Sequence, residues 1–191
     1  MRKIFLSIFV FLTISVSAAE LNLKPVTKGD FTQEHYLAKA QRSLISSGAF
    51  IMAQDKGIVF DIQQPFPSKM IVSKEKFVQI LNNGDVSIMD GSENAIFKNI
   101  AAIISSIFSG NMQALDSNFY ISEVKGEKNI LTLMPKDIFL ALLFEKFVLS
   151  IGESIEGLTV FETSGNWVEY KFSNLEFPEK LTKDEEKLFS Y

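Results

Sequence analysis

"SGAFIMAQDKGIVFDIQQPFPSKMIVS", residues Ser47 to Ser73, decides the fold. It reads as three short strands joined by turns. Successive side chains alternate across a strand, so Phe50 and Met52 point one way and Ile51 and Ala53 the other. A half-exposed strand keeps one polar face. Both faces are apolar here, so each must touch something. In the second strand Ile58, Phe60 and Ile62 share one face, and Val59, Asp61 and Gln63 the other. Pro65 and Pro67 cannot donate to a central ladder, which makes "QQPFPS" a turn or a sheet edge.

The same short period extends outward in both directions. Gly29 to Tyr36, Ser43 to Ala53, Gly57 to Gln63, Ser68 to Lys74 and Phe77 to Asn82 read as strands. Asn83-Gly84 is a two-residue hairpin signal returning through Asp85 to Met89. Later come Asn118 to Val124, Asn129 to Met134, Phe147 to Ile151, Gly157 to Thr163 and Trp167 to Ser173. About eleven strands at this spacing predict an antiparallel sheet or barrel. The last is the cleanest: Val168, Tyr170 and Phe172 face in, while Glu169 and Lys171 face out.

One segment breaks the period of two. Ile96, Phe97, Ile100, Ile103, Ile104, Ile107 and Phe108 recur at helical spacing, with Ser92 as a cap and Gly110 as a stop. Ile is a modest helix former, so this helix needs an apolar surface to lie on. A further helical turn is expected at about Met112 to Asp116. In "LTKDEEKLF", Thr182 and Glu185 form a capping box, with Leu188 and Phe189 as anchors. "MPKDIFLALLFEKFVLSIG" suits a short helix after Pro135 and then a strand, and periodicity alone does not divide it.

The chain opens "MRKIFLSIFVFLTISVSAAE": two cations, an apolar run from Ile4 to about Val16, then small residues. That is the layout of a secretory signal peptide over residues 1–19, with cleavage after Ala18 or Ala19. The run is shorter than the roughly 20 residues a spanning helix needs. Residues 20–191 then read as one domain. No cysteine is present, which excludes both a disulfide scaffold and a lipid-modified leader cysteine, and suits a bacterial periplasm. Loss of Arg2 and Lys3 moves the formal charge from -4 to -6. An acidic chain with no basic block is a poor partner for nucleic acid.

The search for catalytic chemistry is mostly negative. One histidine, His35, sits in an alternating strand without a cysteine partner, and no G-x-S-x-G elbow, H-E-x-x-H pair, phosphate loop or EF-hand loop occurs. The expectation is a protein that is not an enzyme and has no metal or cofactor. Glycosidase-type carboxylate pairs meet only in space, and the sequence leaves them open. What remains is an excess of apolar side chains: 18 phenylalanines, of which Phe5, Phe9 and Phe11 lie in the leader. A filled core and a cavity for an apolar ligand both account for it.

"FTQEHYL", followed by "LISSGAFIMAQDKGIVFDIQQPFPSKMIVS", resembles the periplasmic outer-membrane lipoprotein carrier family (LolA-like). The matching residues are Phe31, Gln33, Ser47-Gly48, Val59-Phe60, Pro65 and Ile71-Val72-Ser73. "LTLMPKD", "WVEYKFSNLEF" and "LTKDEEKLF" resemble the family's later segments. The resemblance implies an incomplete antiparallel β-barrel of about eleven strands with a helical lid over its concave face. It also implies a monomeric periplasmic chaperone that shields the acyl chains of lipoproteins. Its partners would be acylated cargo, an inner-membrane release complex and an outer-membrane acceptor. Phe50, Met52, Phe60 and Ile62 are then expected on the concave face, and Ile96, Ile100, Ile103, Ile104 and Ile107 on the lid. Members of the family carry an arginine before a proline near the second strand, where this chain has Gln54-Asp55-Lys56-Gly57. Lysine lacks the guanidinium fork, so that latch does not carry over. A same-fold carrier of a free lipid, and a structural or sensory envelope domain with a filled core, are the alternatives.

Overall fold

The computed structural model describes residues 23–73, 76–90 and 95–190. Eleven strands form one antiparallel sheet: β1 (Val26–Leu37), β2 (Arg42–Ala53), β3 (Gly57–Gln64), β4 (Ser68–Val72), β5 (Lys76–Leu81), β6 (Val86–Asp90), β7 (Phe119–Val124), β8 (Asn129–Pro135), β9 (Phe144–Ile151), β10 (Ile155–Glu162) and β11 (Trp167–Glu176). Their order is β6-β5-β4-β3-β2-β1-β11-β10-β9-β8-β7, so β6 and β7 are free edges and the barrel does not close. The first and last strands in the chain are neighbours at its centre. Among the described residues four α-helices accompany the sheet: α1 (Ala95–Ser109), α2 (Met112–Asn118), α3 (Ile138–Ala141) and α4 (Lys183–Leu188).

Register sets the two faces. Phe50 lies opposite Phe60 and Met52 opposite Ile58, while Ile51 lies opposite Val59. Directly opposed residues share a face, so the apolar sets seen along each strand continue across strands. The concave set runs from Phe60 and Phe31 through Tyr170 and Phe172 to Leu158, Leu149 and Leu133, and forms the main core. The convex set is answered at the C-terminal end. Val26 and Ala53 pack with Leu181, and Val59, Ile71 and Val78 pack with Leu188 and Phe189. The second apolar face of β2 therefore lies under α4.

Local chemistry accounts for the shape. Gly48 sits at a register shift between β2 and β3, and a Cβ there would stand 2.0 Å from the Asp61 carbonyl oxygen. Only glycine permits that approach. Gly110 adopts φ 66 and ends α1 as expected, its N–H donating to the Ile107 carbonyl at 3.2 Å. Asn111 then caps α2, its Oδ1 accepting from the Ala114 N–H at 2.9 Å.

Some boundaries differ from expectation. The ambiguous run divides into α3, a single turn capped by Asp137, and β9, which begins at Phe144 rather than Phe147. The β5–β6 turn is centred on Asn82-Asn83 with Gly84 in the left-handed region, instead of on Asn83-Gly84. The Asn83 side chain accepts from the Asp85 N–H at 3.0 Å, and only Gly84 needs positive φ. The β10–β11 turn repeats this design with Gly165. The leader, Ser92, Lys74 and the side chain of Ile96 lie outside the described residues.

Candidate functional site: a cavity beneath the long helix

α1 crosses the concave face and packs on it through apolar side chains. It has no acidic residue in its first turn and no basic residue in its last, so its ends gain nothing from the helix dipole. Ile107, Phe108 and Ile103 are buried against the sheet, and the Phe108 ring meets Phe172 edge-on at 6.4 Å. Between α1 and the sheet lies a cavity of about 470 Å³. That volume is in the range of ordinary small-molecule sites.

Phe60, Ile100, Ile103, Ile104 and Ile107 all line this cavity. Phe50 and Met52 share the same face of the sheet but are 1% and 3% exposed and belong to the packed core, not to the cavity wall. Ile62 is half-buried against the core and also stands off the wall. Phe50 and Met52 are closely packed on all sides, with no space left above them.

Sequence reasoning left out much of the wall. Phe144 and Phe147 of β9, Met70 of β4 and Phe77 of β5 line it, as do Val168 and Tyr170 of β11. The inward alternation of β11 was a usable signal for the last two. Aromatic rings tie the wall together: Phe60 meets Phe31 at 4.9 Å and Tyr170 at 5.3 Å, while Phe144 meets Phe147 at 5.3 Å. Such contacts add to simple area burial.

The polar groups of the wall are few: Gln33, His35, Glu162 and Tyr170. Gln33 and His35 continue the inward phase that starts at Phe31, since each is two residues on. Gln33 accepts from the Ser46 hydroxyl at 3.0 Å. The Tyr170 hydroxyl is pushed up to about 12 by burial, so it remains protonated. Among the described residues Glu162 is the one acidic residue lining the cavity, so no glycosidase-type pair of described carboxylates is assembled there. Among the described residues no group of three or more histidine, cysteine, aspartate or glutamate side chains could hold a metal.

The model of the family described as "Outer membrane lipoprotein carrier protein LolA" matches residues 25–190. The chain belongs to this family. Its residues show neither a cysteine nucleophile nor a described metal cluster, in keeping with a non-catalytic member of a carrier superfamily with a hydrophobic-binding fold. No curated protein matches the chain. Among solved structures, a LolA superfamily protein, NE2245, from Nitrosomonas europaea is similar at 7% identity, covering 90% of this chain and 94% of that one with TM-score 0.45. A DUF1329 family protein from Desulfovibrio piger is similar at 10% identity, covering 86% and 90% with TM-score 0.46. No described helix of this LolA-family chain is long and apolar enough to cross a membrane.

Proposed function

We propose that this protein is a periplasmic carrier that holds the acyl chains of lipoproteins beneath α1 and ferries them toward the outer membrane. Residues 1–19 would direct export and be removed, leaving one carrier domain. The observation that carries the reading is the cavity itself, about 470 Å³ in size and walled by α1 isoleucines and strand aromatics. A filled core would leave no such space, which weighs against a purely structural domain. Each methylene taken from water gains about 0.8 kcal/mol, so an acyl chain needs a shield of this kind to cross an aqueous compartment. Phe60, Ile100, Ile103, Ile104 and Ile107 would contact the chain. Phe50, Met52 and Ile62 would support that wall from the same face. Cargo would arrive from an inner-membrane release complex and leave to an outer-membrane acceptor.

The test is Ile104→Asp. Ile104 is half-buried at the cavity, so a carboxylate can reach solvent while spoiling the apolar wall. Cargo uptake should fall below detection while the urea midpoint moves little. Normal delivery by this variant sinks the reading. Native mass spectrometry of protein purified from the periplasm identifies the cargo: a triacylated polypeptide supports the lipoprotein carrier, and a free lipid supports the same-fold alternative.

A further inference from the structure

The cavity is not uniformly apolar, and its polar groups are placed in order. Along β1 the inward residues run Phe31, Gln33, His35, from the buried core toward the β1–β2 turn. Gln33 lies opposite Tyr170, and His35 lies opposite Val168. Val168 in turn faces Val160 on β10, and Glu162 is two residues beyond it on the same wall. His35 and Glu162 are thus two strand spacings of about 4.8 Å and one two-residue step of about 6.7 Å apart along the sheet. Both residues line this end of the cavity.

Two groups at this end stand out, one a polar atom without a partner and the other a carboxylate without a counter-ion in reach. The His35 Nε2 is buried and has no hydrogen-bond partner among the described residues. Such atoms are rare, because burying a polar group without a partner is unfavourable. Among the described residues no cation lies within ion-pair distance of Glu162. Its Oε2 accepts from the Ser164 hydroxyl at 2.9 Å and the Asn166 amide at 3.0 Å, which fixes its orientation without neutralising it. The turn that carries it is itself tied down. The Ala38 N–H donates to the Asn166 Oδ1 at 3.0 Å, and the Thr163 hydroxyl donates to the Leu142 carbonyl at 2.8 Å. The carboxylate is therefore held at the wall as a fixed negative charge.

Resting on the carrier reading above, we propose that this polar end selects acyl chains joined through an uncharged amide or ester. His35 hydrogen-bonds the linkage. Glu162 accepts from an amide N–H where there is one, and repels the carboxylate of a free fatty acid. Gln33 and Tyr170 supply further donors next to His35, and a carbonyl oxygen has two lone pairs to receive them. The apolar wall beneath α1 holds the chain without regard to its head, so the head is read only here. A fixed, unpaired charge is an efficient way to refuse a like-charged competitor, since it acts against the wrong ligand more than for the right one.

The experiment is displacement of an environment-sensitive apolar dye from the full mature chain by N-methyl dodecanamide or by dodecanoate. The wild-type protein should prefer the amide by about a hundredfold, the product of one good hydrogen bond and one avoided repulsion worth about tenfold each. His35→Leu should weaken the amide about tenfold and change dodecanoate less than twofold. His35→Gln keeps a donor and should restore most of the loss. Glu162→Gln should tighten dodecanoate about tenfold and leave the amide within twofold. Equal wild-type affinity for the two ligands overturns the inference, as does a His35→Leu loss that is the same for both. Failure of both ligands to displace the dye from the wild-type protein overturns the carrier reading itself.

Discussion

The two faces of β2 and β3 are equally apolar, yet they are covered in opposite ways. On the convex face α4, of six residues, presses Leu188 and Phe189 onto Val59, Ile71 and Val78, with Leu181 just before it on Val26 and Ala53. Polar contacts pin it: Thr182 and Glu185 form a capping box, and Lys28 on β1 pairs with Glu185. On the concave face α1, of fifteen residues, has no charged residue of the helpful sign at either end and leaves about 470 Å³ beneath it. A short helix fixed by polar anchors makes a seal. A long helix held by apolar contact over a void can exchange those contacts for contacts with a chain, because dispersion and burial do not depend on which apolar partner supplies them.

The largest expected effect separates packed from unpacked parts of the concave face. Phe50 is 1% exposed and its ring lies 4.7 Å from Phe172. Phe50→Ala should cost about 3–5 kcal/mol in urea unfolding, by lost transfer energy plus the cavity created. Ile104→Ala, on the cavity wall, should cost less than half as much, since one side of Ile104 already faces space. Equal costs would mean that the face is packed throughout, and the contrast with α4 would break down.

Much of this architecture is readable in the amino-acid order because local and global signals agree. The described strands fall close to where alternation places them, with β9 the one that starts earlier, since register across neighbours repeats the alternation along each strand. Gly110, the Thr182–Glu185 box and the two-sided apolar pattern of β2 each have one physical meaning, and each has that meaning in the structure. The cavity wall is less legible. Phe50, Met52, Phe60 and Ile62 lie on one face, but only Phe60 borders the space, because the difference depends on where α1 crosses. His35 was visible as a lone strand histidine. Glu162 comes from β10, two strands away across β11 and more than a hundred residues along the chain, and no local spacing connects the two.

A smaller effect sharpens the idea that α4 is a seal. Thr182 Oγ1 accepts from the Glu185 N–H at 3.3 Å, and the Glu185 carboxylate accepts from the Thr182 N–H at 2.8 Å. Thr182→Ala removes half of this exchange and should cost about 1 kcal/mol of stability. Acyl-chain affinity should be unchanged, because α4 lies on the other side of the sheet. A matching loss of affinity would show that the two faces are coupled, and that α4 does more than close the convex side.

The smallest effect is set by acid. Burial pushes the Glu185 carboxyl upward from its ordinary 4.5, but Lys28 and the hydrogen bonds from Thr182 outweigh it and hold the group below that value. A carboxyl lowered in the folded state binds fewer protons there than in the unfolded chain. Its contribution is therefore present above about pH 5 and is lost as the pH falls through the lowered value. Amide protection factors in α4 should fall over that window, before those in β2 and β3 change. Lys28→Ala should lower the α4 protection factors at neutral pH and make them less sensitive to acid. Faster exchange in α1 than in α4 at neutral pH completes the contrast, as expected of a helix that packs over a void. The reverse order would make α1 the seal and α4 the mobile cover.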